Sequence, residues 1–300
     1  MNFEILIRSY KRPKLVITHT LGLLAMQDRS TALLKRTTIL VSDEEQKQEY
    51  ESYLREESIF SDVKVEVTAK GAGETYRIAF SRRIGRNVFC IDDDMKEFYE
   101  YSNPNDKKSR KVIKNLEKYL EYGFSALETY DAGAFSFDYT NIFYKQNSGF
   151  ISIGTRRIPG GFFGLRITDE LVHGDLAKYS HEEDNIRSVI LLEKYSKNVI
   201  FNWFDVKMSP MFNTEGGQNA TEDRSSVERT KHLVEELLKE PIIRKYFLEE
   251  PTLVNDKFYS LKMKSQNSLR KDLGSKYFSK IDVKDYFGEF ILPQESESIF

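Results

Sequence analysis

The sequence has almost no cysteine, because Cys90 is the only one among its 300 residues. A single thiol excludes an internal disulfide framework and a zinc site built from cysteines. Long hydrophobic runs are also missing, and the apolar stretch FEILI at 3–7 is far too short for a signal peptide or a membrane span. We therefore expect a reduced, cytoplasmic protein without a membrane partner.

An excess of charge of either sign is lacking as well, since 45 Lys and Arg residues oppose 47 Asp and Glu residues. The net charge of −2 gives no overall basic signature for nucleic acid or for a membrane surface. Local basic clusters remain, at 81–86, 107–114, 155–157 and 262–271. They could contact phosphates, although such clusters are more often solvated faces.

Strand-like and helix-like segments alternate through the first third of the chain. We predict strands at 3–7, 37–42, 63–67 and 87–91. A capping box from Ser42 to Glu45 starts one of the intervening helices. The alternation implies right-handed crossovers, so the predicted fold class is α/β, with a mostly parallel sheet flanked by helices.

Beyond the first third the segments are more varied, and the whole chain divides into two predicted parts. One part runs over residues 1–208 and the other is a helical or mixed C-terminal extension over 209–300. The extension opens with a loop that contains Gly216 and Gly217 and is long enough to be a lid. Within the first part we predict a helix at 109–128, irregular strands at 133–168, a helix at 181–197 and a strand at 199–208.

The stretch VFCIDDDM at 88–95 ends a predicted parallel strand with three carboxylates, Asp92, Asp93 and Asp94. Ligands bind parallel sheets at this end of the strands. Three like charges need a positive partner, which could be a basic side chain, a helix N-terminus or a metal ion. If Asp92 and Asp94 share a face, they offer the hard oxygen ligands that Mg²⁺ and Mn²⁺ prefer. The alternatives are a two-metal nuclease or polymerase site, and a solvated acidic turn paired with Arg82, Arg83 or Arg86.

Three passages in order, ILIRSYKRP, GAGETYRIAFSRRIGRNVFCIDDDM and HEEDN, resemble the GT-A glycosyltransferases over about residues 1 to 190. Within that superfamily, the IRSYKRP start, the IDDDM form and the GGFFG segment look most like the phage and trypanosome-type TET/JBP-associated glycosyltransferases. Those enzymes add sugars to hydroxymethylated pyrimidines in DNA. The resemblance implies a Rossmann-like GT-A domain over 1–208, with a nucleotide-sugar half at 1–100 and an acceptor half at 101–208.

The resemblance places four N-terminal residues at the donor. Arg8, Ser9 and Arg12 would meet the uracil and diphosphate of a UDP-sugar, and arginine suits forked phosphate contacts. Asp43 would approach the base or ribose. The structural alternatives are a helix cap with surface charge for the first three, and an acidic first turn of a helix for Asp43.

The glycine-led helix and the aspartates complete the implied donor site. Gly73 and Arg77 would lie near the phosphates or sugar, unless Arg77 simply pairs with Glu74. Asp92 and Asp93 would also contact the donor, with Asp92 at the ribose or sugar.

The resemblance also implies a metal site and a base. Asp94, with Asp92, would hold Mn²⁺ or Mg²⁺ against the diphosphate. Asp184, or alternatively Glu183, would take the proton of the attacking hydroxyl in an inverting reaction. The structural alternative for this pair is a favourable interaction with a helix dipole.

The implied function is transfer of a sugar from a nucleotide sugar to hydroxymethylated DNA, in the host cytoplasm if a phage encodes the protein. Phe162 and Phe163 could stack on an acceptor, although core packing is the default for phenylalanine. Other acceptors, nucleotidyl transfer and a non-catalytic binding module remain as alternatives.

Overall fold

The computed structural model describes residues 1–103, 106–138, 150–179, 181–208, 227–254 and 258–273. The predicted lid loop with Gly216 and Gly217, and the C-terminal tail, lie outside these residues. No helix in the described ranges combines the length and the apolar character that crossing a membrane requires.

The strands are β1 Glu4–Arg8, β2 Thr37–Val41, β3 Lys64–Val67, β4 Asn87–Asp92, β5 Met95–Tyr101, β6 Arg110–Val112, β7 Ala134–Phe137, β8 Ile151–Gly154, β9 Phe162–Arg166, β10 Asn198–Phe201, β11 Phe204–Met208, β12 Thr252–Val254 and β13 Phe258–Ser260. The α-helices are α1 Pro13–Val16, α2 Gly22–Ala25, α3 Ser30–Lys35, α4 Glu44–Glu56, α5 Ala72–Ser81, α6 Leu116–Tyr130, α7 Glu170–His173, α8 Glu183–Tyr195, α9 Val227–Leu237, α10 Pro241–Tyr246 and α11 Gln266–Leu273. A π-helical turn, Ile17–Leu21, joins α1 to α2.

The main sheet has eight strands in the order β3-β2-β1-β4-β9-β7-β10-β8. Strands β1 to β4 run parallel to one another. Strand β9 is antiparallel to both of its neighbours, and β8 is antiparallel at the edge. The predicted α/β class with a mostly parallel, helix-flanked sheet is therefore confirmed. The order reverses between β1 and β4, since β2 lies on one side of β1 and β4 on the other.

Both faces of this sheet are buried, as a sheet with helices on each side requires. Along β1, Ile5 and Ile7 enter one core with α4 and α6, while Leu6 enters a second core with α5 and α8. Phe162 and Phe163 of β9 also point to opposite cores and are only 1% and 0% exposed. They are core residues in this structure and do not face an acceptor.

Two predicted elements have different bounds. The helix expected at 109–128 begins at Leu116, because the Asn115 side chain caps it by accepting a hydrogen bond from the Lys118 amide (3.2 Å). Val112, counted in that helix, belongs to β6 and is 48% exposed. The strand expected at 199–208 is two strands, β10 in the main sheet and β11 in a three-stranded sheet with β5 and β6.

The described part of the C-terminal extension packs on α8. Ile186, Val189 and Leu192 of α8 share a buried cluster with Val234 of α9 and Tyr246 of α10. This packing covers one side of α8, so the orientation of its N-terminal end depends on both the main sheet and the extension.

Candidate functional site

Arg8 and Asp92 are the last residues of β1 and β4, and the parallel register places them side by side. They lie at the carboxyl ends of the strands, where the strand order reverses. Crevices at such switch points are the usual ligand sites of open parallel sheets. The structure therefore brings two predicted site residues together at the expected place.

The Arg8 guanidinium bridges two acidic groups that are far apart in sequence. Its Nη2 donates to Oδ1 of Asp92 (3.2 Å), and its Nη1 donates to Oε1 of Glu183 at the start of α8 (2.8 Å). Its central carbon lies 5.0 Å from the centre of the Tyr76 ring. Burial alone would lower the pKa of Arg8, but the facing Tyr76, Asp92 and Glu183 hold it well above its ordinary value. Arg8 is thus a permanent positive charge at the switch point.

Ser9 and Arg12 converge on the second aspartate. Ser9 Oγ donates to Oδ2 of Asp93 (2.6 Å), and Arg12 Nη1 donates to Oδ1 (3.3 Å). Burial raises the pKa of Asp93, which is 5% exposed, against the effect of these two donors. Asp93 and Asp94 form the turn after β4, called the aspartate turn below. In this structure Ser9 and Arg12 bind the Asp93 carboxylate of that turn, and their contact with a donor stays a prediction.

Asp94 follows in the turn after β4, and its carboxylate has a different environment. Burial, and then the charges of Asp92 and Asp93, raise the pKa of Asp94 to about 7, which Arg12 only partly offsets. Within the described ranges no Lys, Arg or His side chain forms an ion pair with Asp94. A desolvated carboxylate in an acidic neighbourhood is stabilised by an added cation.

The described residues contain no cluster of three or more His, Cys, Asp or Glu side chains that could hold a metal by themselves. Magnesium sites in nucleotide-dependent enzymes need fewer, because one or two carboxylates act together with substrate phosphates and water. The hard oxygens of Asp92 and Asp94 fit that kind of site. Their role as ligands stays a prediction.

Thr20 and Tyr50 support the aspartate turn and were missed in the sequence. Thr20 Oγ1, in the π-helical turn, donates to the Asp92 carbonyl (2.7 Å) and accepts from the Met95 amide (3.1 Å). The Tyr50 hydroxyl lies 2.7 Å from Ser9 Oγ and accepts from the Arg12 amide (2.8 Å). Spacing on the buried face of α4 predicts that Tyr50 is inside, but not which residues it contacts.

The acidic start of α8 forms two separate ion pairs. Glu183 forms an ion pair with Arg8. Asp184 accepts a hydrogen bond from Nη2 of Arg157 and another from the Asn185 amide (2.8 Å). Burial alone would raise the pKa of Asp184, but the charges of Arg157 and Arg187 lower it. Both predicted base candidates are therefore paired with arginines, Glu183 with Arg8 of the switch point and Asp184 with Arg157, and their role as a base stays a prediction.

Two other predicted residues, Arg77 and Asp43, have local structural partners. Arg77 pairs with Glu74, its neighbour on α5, through Nε and Oε2 (2.8 Å). Asp43 is the N-cap of α4 and accepts from the Gln46 amide (2.8 Å), which lowers the pKa of Asp43. The prediction that Ser42 caps this helix is wrong by one residue. Gly73 lies in the first turn of α5, whose N-cap residue, Gly71, has a φ of 98°.

No protein-family model matches this chain, and no curated protein matches its sequence. Solved structures do match. TarS 1–349 from S. aureus in complex with UDP-GlcNAc is 13% identical over 80% of this chain and 68% of that chain, with a TM-score of 0.45. In the TarS 1–349 structure without a named ligand, the match spans 66% of that chain, so this chain spans about two thirds of its length.

Two further matching structures are named as enzymes of two different kinds. Glucosyl-3-phosphoglycerate synthase from Mycobacterium tuberculosis, in complex with Mn²⁺, UDP and glucosyl-3-phosphoglycerate, is 9% identical over 88% of this chain and 87% of that chain, with a TM-score of 0.43. A UDP-glucose pyrophosphorylase complexed with UDP-glucose is 10% identical over 69% and 92%, with a TM-score of 0.37. At these identities the likeness is one of fold and carries no information about this chain's substrates.

Proposed function

We propose that this protein is a metal-dependent glycosyltransferase that uses a nucleotide sugar, with a UDP-sugar as the favoured donor. The observation that carries the proposal is the group at the switch point, where Arg8 joins Asp92 to Glu183 and Asp94 lies two residues beyond Asp92. This crevice is where an open parallel sheet binds a nucleotide. It combines a permanent cation with a carboxylate that a divalent ion would stabilise.

The charges suit departure of a nucleoside diphosphate. Breaking the bond between sugar and phosphate leaves extra negative charge on the diphosphate, and stabilising that charge lowers the barrier. Arg8 supplies a fixed positive charge at this place. Mn²⁺ or Mg²⁺ held by Asp94 and Asp92 would supply further neutralisation of the diphosphate when bound.

The start of α8 would supply the base. The acceptor oxygen forms a bond to the anomeric carbon while the bond from that carbon to the diphosphate oxygen breaks. The acceptor's proton then passes to a carboxylate, for which we propose Asp184, with Glu183 as the alternative. The lowered pKa of Asp184 keeps it ionised and so able to accept a proton.

We further propose hydroxymethylated pyrimidine in DNA as the acceptor, and hence the TET/JBP-associated family. The sequence motifs alone support this finer assignment. Much of the positive charge in the basic clusters is already paired, as Arg83 is with Glu4 (2.8 Å) and Glu66 (2.7 Å), and as Arg157 is with Asp184. These pairs leave less free positive charge for DNA phosphates than the sequence suggests.

Nucleotidyl transfer is a second candidate, favoured by one observation. Glu183 and Asp184 are both held in ion pairs with arginines, and a nucleotidyltransferase needs no carboxylate base at that place. The two reactions release different products, pyrophosphate from a nucleotidyl donor and a nucleoside diphosphate from a nucleotide sugar.

The testing experiment is a transfer screen with UDP-sugars and Mn²⁺, using DNA that contains hydroxymethylcytosine or hydroxymethyluracil and unmodified DNA as a control. A second arm supplies UTP and a sugar phosphate in place of the UDP-sugar. UDP release, pyrophosphate release and DNA mass are measured together. A sugar-sized gain in DNA mass supports the full proposal. UDP release without that gain supports glycosyl transfer to another acceptor, and pyrophosphate release from a sugar phosphate and UTP supports the second candidate.

Two variants show whether the activity arises at the switch point. Asp94→Asn should abolish transfer because it removes the proposed carboxylate ligand. The matched control is Asp62→Asn, which removes the same charge from a side chain that is 50% exposed and pairs only at 3.9 Å with Lys35. Equal activity in Asp94→Asn and Asp62→Asn would refute the proposed site.

A further inference from the structure

Arg187, on the second turn of α8, is buried but incompletely paired. The residue is 4% exposed, and its Nε and Nη2 have no hydrogen-bond partner within the described part of the chain. Leaving buried charged donors without an acceptor is costly, so such groups in native proteins usually have a ligand, an ion or a water.

The two nitrogens lie on one edge of the guanidinium. Their N–H bonds are parallel, which is the arrangement that grips two oxygens of one carboxylate or phosphate. The face of the group is already occupied, because its central carbon lies 3.7 Å from the centre of the Phe163 ring. Stacking on Phe163 fixes the plane of the guanidinium, and the edge with Nε and Nη2 is the part of the group that lacks a partner among the described residues.

This arginine lines a pocket between α5 and α8. The walls are mainly apolar, with Tyr76 and Phe80 from α5 and Ile186 and Ile190 from α8. Glu183 also lines the pocket, so it adjoins the group formed by Arg8 and Asp92. The Tyr76 hydroxyl is a second buried polar group without a hydrogen-bond partner among the described residues.

We propose that this pocket is an oxyanion site in which Arg187 binds a carboxylate or a phosphate through Nε and Nη2. The apolar walls strengthen the ion pair by lowering the local dielectric, and the unpartnered hydroxyl of Tyr76, which also lines the pocket, is a further donor. Both nitrogens are closed off from solvent in this structure, so the proposed binding requires the pocket wall to open for the oxyanion to reach them. This inference does not depend on the proposed glycosyl transfer.

Calorimetric titration of the full chain with inorganic phosphate, and separately with acetate, tests the proposal. Arg187→Lys keeps the positive charge but removes the fork, and it should weaken binding by about tenfold or more. The matched control is Arg86→Met, which removes a cation that is 64% exposed and pairs with Glu4, and it should change binding by less than about twofold. Tighter binding of phosphate would identify a phosphate ligand, and tighter binding of acetate would identify a carboxylate ligand.

A measurement on the unmutated protein keeps the test independent of how the variants fold. In a nitrogen-15 spectrum of the arginine side chains, the Nε–H signal of Arg187 should shift as phosphate or acetate is added. Absence of binding by the wild type, binding by Arg187→Lys equal to wild type, or an unmoved Arg187 signal would each overturn the proposal.

Discussion

Replacing Arg8 by methionine should destabilise the protein far more than replacing an exposed arginine in a similar ion pair. Methionine preserves the long side chain but leaves Asp92 and Glu183 without their shared cation. Those carboxylates are only 30% and 12% exposed, so water replaces little of the lost interaction. The substitution also removes the group that joins the end of β4 to the start of α8.

The magnitude follows from burial. Removing one partner of a buried ion pair costs about 3–5 kcal/mol, because the remaining charge stays desolvated. Arg86→Met is the matched control, since Arg86 pairs with Glu4 at 2.9 Å but its side chain is 64% exposed. Exposed pairs contribute about 0–1 kcal/mol. We expect the two losses to differ by at least about 2 kcal/mol.

The assay is urea unfolding at neutral pH, followed by circular dichroism, for the wild type, Arg8→Met, Arg8→Lys and Arg86→Met. Arg8→Lys should fall between the wild type and Arg8→Met, since lysine keeps the charge but not the planar fork. A loss of less than about 1 kcal/mol for Arg8→Met, equal to that of Arg86→Met, would show that Asp92 and Glu183 do not carry buried charge, and would refute the reasoning.

Three further outcomes are expected. Gly161→Ala should reduce the proposed transfer activity, because the added Cβ would lie 2.7 Å from Oδ2 of Asp92 and push that carboxylate away from Arg8; unchanged kinetics would contradict this. Gly164→Ala should cost about 1–3 kcal/mol in urea unfolding, since its Cβ would lie 2.2 Å from the Phe135 ring in the core. Burial and the charge of Asp184 raise the pKa of Glu182, so the folded state binds its proton more tightly than the unfolded state. The free energy of unfolding should therefore fall as pH rises from the ordinary glutamate pKa through the raised pKa of Glu182. Glu182→Gln should make the melting temperature depend less on pH across that range, as measured by melting curves.

Much of the sheet was predictable because its signals are local. Strands β1, β2 and β4 each contain a short apolar run, which buried parallel strands have when both faces are covered, whereas β3 at the sheet edge alternates apolar and charged residues. The positions of Arg8 and Asp92 followed from the same signal, since each directly ends such a run. Strand ends in a parallel sheet lie at a common edge, so their proximity was an expectation from chain order.

Local pattern failed where long-range packing decided between alternatives. Val112 has helical spacing with the apolar residues of α6, yet it pairs with Tyr99 in the small sheet, and the helix starts only after Asn115. Phe162 and Phe163 are as suitable for stacking on a ligand as for a core, and the positions of β4 and β7 on either side placed them inside.

The sequence by itself determined the α/β class, the ends of the first four strands to within one residue, and the identity of the charged groups at the switch point. Only the tertiary structure decided which charges pair, as in the contact of Arg8 with Glu183 across 175 positions. It also decided that Asp93 is bound by Ser9 and Arg12 while Asp94 has a raised pKa. The physical reason is that strand pattern depends on neighbours in sequence, whereas the cost of burying a charge depends on every group that the fold brings around it.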